Sequence, residues 1–98
     1  MLVLSVNNLY SQKGSYKIGT KIYVIEKVGK VFVIKHEEST DGWKLSKPYD
    51  IDGKIGFDAI NSGEIIDFWL TFEDNTYQTG IMERKYGQKK LNIKKLEL

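Results

Sequence analysis

The chain has 98 residues, 41% of them hydrophobic and 29% charged, with a formal net charge of +2 and no cysteine. That length makes one domain with a modest core, and the missing thiols exclude disulfide frameworks, thiolate zinc sites and cysteine nucleophiles. The small total hides a sorted layout, net +5 over residues 1–36, −7 over 37–75 and +4 over 76–98, so a folded surface can carry local potentials that the total does not reveal.

Residues 1–6 are apolar but carry no basic leader, and no apolar run approaches the roughly 20 residues that span a bilayer. With no cysteine, this gives the expectation of a soluble, cytoplasmic protein. Leu2, Leu4 and Val6 alternate with Val3 and Ser5 and predict a first short strand. Residues 7–19 hold two Gly and two Asn and predict a loop or loose hairpin. Residues 20–28 place Ile22, Val24 and Val28 on one face and Lys21, Tyr23, Ile25 and Lys27 on the other. Gly29-Lys30 turns into a partner strand over 31–37. Ser39-Thr40-Asp41-Gly42 is a strong turn signal, because Asp and Gly accept left-handed or locally bonded backbone. Residues 43–51 predict a strand, with Pro48 marking an edge or a bulge, and Asp52-Gly53 turns again.

Residues 57–63 predict one helical turn closed by a Gly cap. Residues 64–74 are the clearest strand, with Ile66, Phe68, Leu70 and Phe72 at a period of two that a helix would scatter around its axis. Asp74-Asn75 leads into a strand over 76–85, and Tyr86-Gly87 breaks it. Over 91–98, Leu91 and Ile93 are out of phase with Leu96 and Leu98, which predicts a bulge or a short helix. The fold class is all-β, or mostly β with one short helical turn. A small single-domain barrel or two-layer sandwich of six to seven short antiparallel strands satisfies the pattern, and closure protects strand edges. An α+β fold with a C-terminal helix is the alternative.

Little in the chain points to catalysis. Asp50-Ile51-Asp52-Gly53-Lys54-Ile55 resembles the middle of an EF-hand calcium loop, but with Gly53 in the glycine place the first ligand position falls on Pro48 and the closing one on Ala59. Metal binding is therefore not expected, with Asp50, Asp52 and Asp58 as weak candidates only. His36 is the only histidine, and one imidazole makes no multi-histidine metal site. Gly53-Lys54-Ile55-Gly56 lacks the spacing and the Lys-Ser/Thr ending of a phosphate loop. No cofactor and no enzymatic activity are expected.

Binding remains. Trp69 and Trp43 are natural interface anchors if exposed, and Asp67 stands beside Trp69 on the polar side of its strand. They are the candidates for a protein partner. Lys17, Lys21, Tyr23, Lys35 and Lys44 interleave basic and aromatic side chains and are the candidates for single-stranded nucleic acid, with the C-terminal Lys89-Lys90 and Lys94-Lys95 as added phosphate contacts. A barrel mouth that takes a small molecule is a third reading, and homo-oligomerisation through a strand edge would draw on the same features. No motif assigns a family. The short, Lys-, Ile- and Asn-rich profile is common in accessory proteins of low-GC bacteria and their phages. The expectation is a non-catalytic cytoplasmic module acting through a protein partner, as a phage or mobile-element inhibitor or adaptor.

Overall fold

In the computed structural model, which describes residues 14–87 and 89–96, the chain runs through nine strands and no helix among those residues. They are β1 (Gly14–Ile18), β2 (Lys21–Val28), β3 (Val31–His36), β4 (Gly42–Leu45), β5 (Tyr49–Ile51), β6 (Lys54–Ile60), β7 (Ile66–Phe72), β8 (Thr79–Arg84) and β9 (Lys90–Lys95). The expected strand at Leu2–Val6 lies outside the described residues. Every neighbouring pair is antiparallel, and the order β4-β3-β2-β1-β9-β8-β7-β6 closes on itself through β4–β6. The result is an eight-stranded up-and-down barrel with β5 as an extra strand beside β6. No helix among the described residues is long and apolar enough to cross a membrane.

The turns follow local chemistry. Asp52 and Gly53 both take positive φ, 49° and 88°, the backbone that a two-residue hairpin between twisted strands needs. Strands β4 and β5 are one strand interrupted at Ser46-Lys47-Pro48. Ser46 still exchanges bonds with Asp58, its N–H to the Asp58 carbonyl at 3.0 Å and its Oγ accepting the Asp58 N–H at 2.9 Å. The register with β6 then slips by one residue before Tyr49 meets Gly56. A proline that cannot donate sits where the slip removes the need for a donor.

The strands number nine among the described residues where six to seven were expected. Residues 14–18 add a strand, and residues 43–51 and 57–63 each contribute to strands that the sequence merged or read otherwise. Three local expectations change with that. Residues 57–60 belong to β6 instead of opening a helical turn, because Phe57 and Ala59 point into the core at a period of two. Residues 14–18, expected within a loop or loose hairpin, form the regular strand β1, paired on both sides by β2 and β9. The C-terminal segment is strand β9 up to Lys95, its Leu91 and Ile93 facing in. Leu96, past the strand end, donates its N–H to the Ser15 carbonyl at 2.8 Å.

Eight strands enclose a space that side chains can fill, and here they fill it. Ile18, Ile25, Ile34, Leu70, Met82 and Ile93 are buried between two aromatic tiers. One tier is Tyr16, Phe57, Phe72 and Tyr77, with Tyr77 packed on Phe72 at 5.4 Å and on Phe57 at 6.1 Å. The Tyr16 hydroxyl donates to the Tyr77 carbonyl at 3.0 Å, and burial pushes that phenol up. The other tier is Tyr23, His36, Trp43 and Phe68. The void left within the first tier, lined by Tyr16, Phe32, Leu45 and Tyr77 among others, is about 10 Å³, at or below the room one water needs. Among the described residues the barrel interior is a packed core.

Candidate functional site

At one end of the barrel, Trp43 and Asp67 come together, although 24 residues separate them in sequence. The register between β6 and β7 shifts at Ala59/Ile60, where Ile60 pairs Ile66 and Ala59 pairs Phe68. Asp67 is the extra residue of that bulge. A bulge re-aims the side chain it carries, and here it turns the carboxylate toward Trp43. The Trp43 Nε1–H donates to Asp67 Oδ2 at 2.6 Å, and Asn61 Nδ2 donates to Asp67 Oδ1 at 3.0 Å. Asn61 Oδ1 in turn accepts the N–H groups of Gly63 and Ile65. The Trp43 ring meets Phe68 edge-on at 5.0 Å, and His36 lies 4.3 Å from Tyr23 at a shallow tilt. Burial pushes the Tyr23 phenol up, and the Arg84 guanidinium beside it opposes that rise.

This arrangement corrects the view of Trp43 and Asp67 as free interface anchors. They close the barrel mouth, and each satisfies the other. Tyr23 is corrected more sharply: at 2% exposure inside the wall, its ring cannot stack on a base. The sequence offered two apolar faces for β2, and pairing chose between them. Tyr23 stands opposite Tyr16 and Ile25 opposite Ile34, all inward, which leaves Ile22 and Val24 outside.

The other lysine candidates scatter. Lys35 forms an ion pair with Glu26 at 3.4 Å. Lys21 borders an open depression of about 440 Å³ with His36, Glu37 and Glu38, and none of its lining residues is a Ser, Thr or Cys. Lys44 borders another, of about 510 Å³, with Asn61 and Glu64. Lys17 stands on the outer face of β1. The weak metal candidates do not converge, and among the described residues no three acid, histidine or cysteine side chains gather as a metal site. Asp50 accepts the Gly53 N–H in its hairpin, Asp52 is a turn residue, and Asp58 accepts the Tyr49 hydroxyl at 2.7 Å.

Trp69 is different. It lies half-buried on the outer face of β7, and its register partners on either side are Asp58 and Glu83. The next row reads Gly56, Thr71, Ile81, with Tyr49 opposite Gly56. A Cβ on Gly56 would sit 2.6 Å from both Tyr49 and Ile51 side chains, so the glycine is the floor on which those two lie. Tyr49 is 37% exposed and Ile81 41%. Partial burial and the Asp58 hydrogen bond push the Tyr49 phenol up to about 12. The outer wall over β5–β8 therefore carries Trp69, Tyr49, Ile51 and Ile81 on one face, with Thr71 among them and Asp58 and Glu83 flanking Trp69. Of these, the sequence pointed only to Trp69. The others needed the register, which nothing in a single strand encodes.

Comparison with protein-family models, with curated proteins and with solved structures finds no match.

Proposed function

We propose that the protein is a non-catalytic binding module that engages a protein partner through the outer wall of β5–β8, with Trp69 as its anchor. The observation that carries this reading is the position of Trp69. The barrel is full, so the tryptophan is not needed to complete the core. It stands outside, on the wall that also carries exposed Tyr49, Ile51 and Ile81. A tryptophan framed by polar groups is the residue pattern that concentrates binding energy in interfaces. Asp58 and Glu83 on its two flanks, with Asp50 and Asp52 in the neighbouring hairpin, fit a partner that brings arginine or lysine around an apolar centre, and they would steer its approach. In this reading the module acts in the cytoplasm as an inhibitor or adaptor of that partner. The filled interior gives no support to a small molecule held inside the barrel.

The test is site-specific photocrosslinking from position 81 in host cells, with position 28 on the far wall as the control, followed by binding of the purified partner. Trp69→Ala should weaken that binding by about 30-fold or more, since an interface anchor carries about 2 kcal/mol or more. A partner that binds Trp69→Ala as tightly as the parent chain overturns the proposal.

A further inference from the structure

The closure of the barrel brings the two basic segments side by side. Strand β1 belongs to the first and β9 to the last, and they pair directly. Lys17 and Lys94 are register partners, both exposed on the outer face. Like charges directly opposite in an antiparallel pair are destabilising. Among the described residues the ion pair of the barrel is Lys35–Glu26, so neither Lys17 nor Lys94 is neutralised that way. Along β9 the same face carries Lys90 and Asn92, and Lys89 precedes the strand. Glu83 faces Lys90 across β8–β9, which leaves the positive charge concentrated toward Lys94 and Lys17. At the other end of this ridge, in the β8–β9 connection, is Tyr86. It is 77% exposed, the most exposed large apolar side chain described, with the Lys85 ammonium 5.7 Å from its ring centre.

We infer that this ridge binds single-stranded nucleic acid, with Lys17, Lys94, Lys90 and Lys89 on phosphates and Tyr86 as the surface for one stacked base. The chemistry is that of strand binding without sequence readout: a basic track for the backbone and an aromatic face that any base can cover. From Lys90 to Lys94 the strand advances about 13 Å at its usual rise, a path of a few nucleotides. Asn92, the outward residue between Lys90 and Lys94 on β9, is small and polar, and Thr79 beside Lys94 is too. The ridge borders the β8 edge of the Trp69 wall, where Ile81 and Glu83 are register partners of Asn92 and Lys90. In a ring of eight strands, β1 and β9 stand across the barrel from β6 and β4. Of the lysines that the sequence pointed to, Lys17 and the C-terminal Lys89, Lys90 and Lys94 share this ridge, whereas Lys21, Lys35 and Lys44 lie on β2, β3 and β4.

The experiment is fluorescence anisotropy of a labelled 12-nucleotide oligo(dT), and of a duplex of the same length, with the full chain. Four phosphate contacts to a single strand give a slope of log K against log salt of about −3, hence a loss of about fiftyfold between 50 and 200 mM salt. Lys17→Gln with Lys94→Gln should reduce that slope by about half. Tyr86→Ala should weaken oligo(dT) by about fivefold or more and leave the duplex unchanged, because stacking requires an unpaired base. Lys44→Gln with Lys54→Gln, on the opposite wall, should change neither. All these positions are exposed, and circular dichroism of each variant verifies its fold. Absence of binding at 50 mM salt overturns the inference. So does an equal loss from the Lys44/Lys54 variant, or competition by polyglutamate of matched charge as effective as by unlabelled oligo(dT), which would mark an acidic protein as the ligand.

Discussion

Replacing Asp67 tests whether the β7 bulge holds the barrel mouth shut. In Asp67→Ala the Trp43 indole N–H loses its acceptor at 2.6 Å, and the Asn61 amide loses its own at 3.0 Å. A hydrogen bond to a charged group contributes about 1.5–3 kcal/mol when buried. Both Trp43 and Asp67 are only half-buried, so water screens and replaces part of it. A loss of about 2 kcal/mol for both bonds together is the scale expected, which lowers the melting temperature of a domain this size by roughly 8–16 °C. The sharper measure is a double-mutant cycle with Trp43→Phe, which keeps the ring on Phe68 and His36 but removes the N–H. Urea unfolding followed by circular dichroism on the four proteins should give a coupling of about 1 kcal/mol or more. A coupling below about 0.3 kcal/mol would mean that the two groups stabilise the mouth independently, and the reasoning from the bulge to the indole would fail.

Gly80→Ala should be among the most damaging single methyl additions, because its Cβ would sit 2.3 Å from the Thr71 carbonyl oxygen and 2.9 Å from the Phe72 Cα, both backbone. A loss of about 3 kcal/mol is expected, and a thermal melt within a few degrees of the parent would refute it. The raised phenol of Tyr49 makes a pH prediction. Its folded value of about 12 lies above the ordinary 10, so its contribution is complete below pH 10 and is lost as pH rises toward 12. Tyr49→Phe should make stability fall less steeply over that interval, with the raised phenols of Tyr16 and Tyr23 supplying the remaining fall, and Asp58→Asn should bring the Tyr49 absorbance titration down toward 10. The Asp74 carboxyl is held below its ordinary range by the Thr76 hydroxyl and backbone N–H. Thr76→Val should move its NMR titration upward, and an unchanged midpoint would assign the shift to the backbone bond alone.

The sequence by itself determined the kind of structure. Alternation in residues 66–72, the Asp52-Gly53 hairpin and the placement of Pro48 at an interruption each follow from local chemistry, since strand period and turn backbone are properties of a few consecutive residues. It misjudged residues 57–63, where Gly63 mimics a helix cap while Phe57 and Ala59 already alternate toward the core. What it could not settle is which face of β2 turns inward, because both faces carry apolar side chains. That choice belongs to the register with β1 and β3, which pairs Tyr23 with Tyr16 and Ile25 with Ile34. The surfaces depend on register still more. The basic ends of the chain become one ridge because β9 pairs with β1, and Trp69 acquires its acidic flanks because β6 and β8 align Asp58 and Glu83 beside it. Asp67 turns to Trp43 through one extra residue in a ladder. Such pairings join positions tens of residues apart, and they are fixed by how all eight strands close at once.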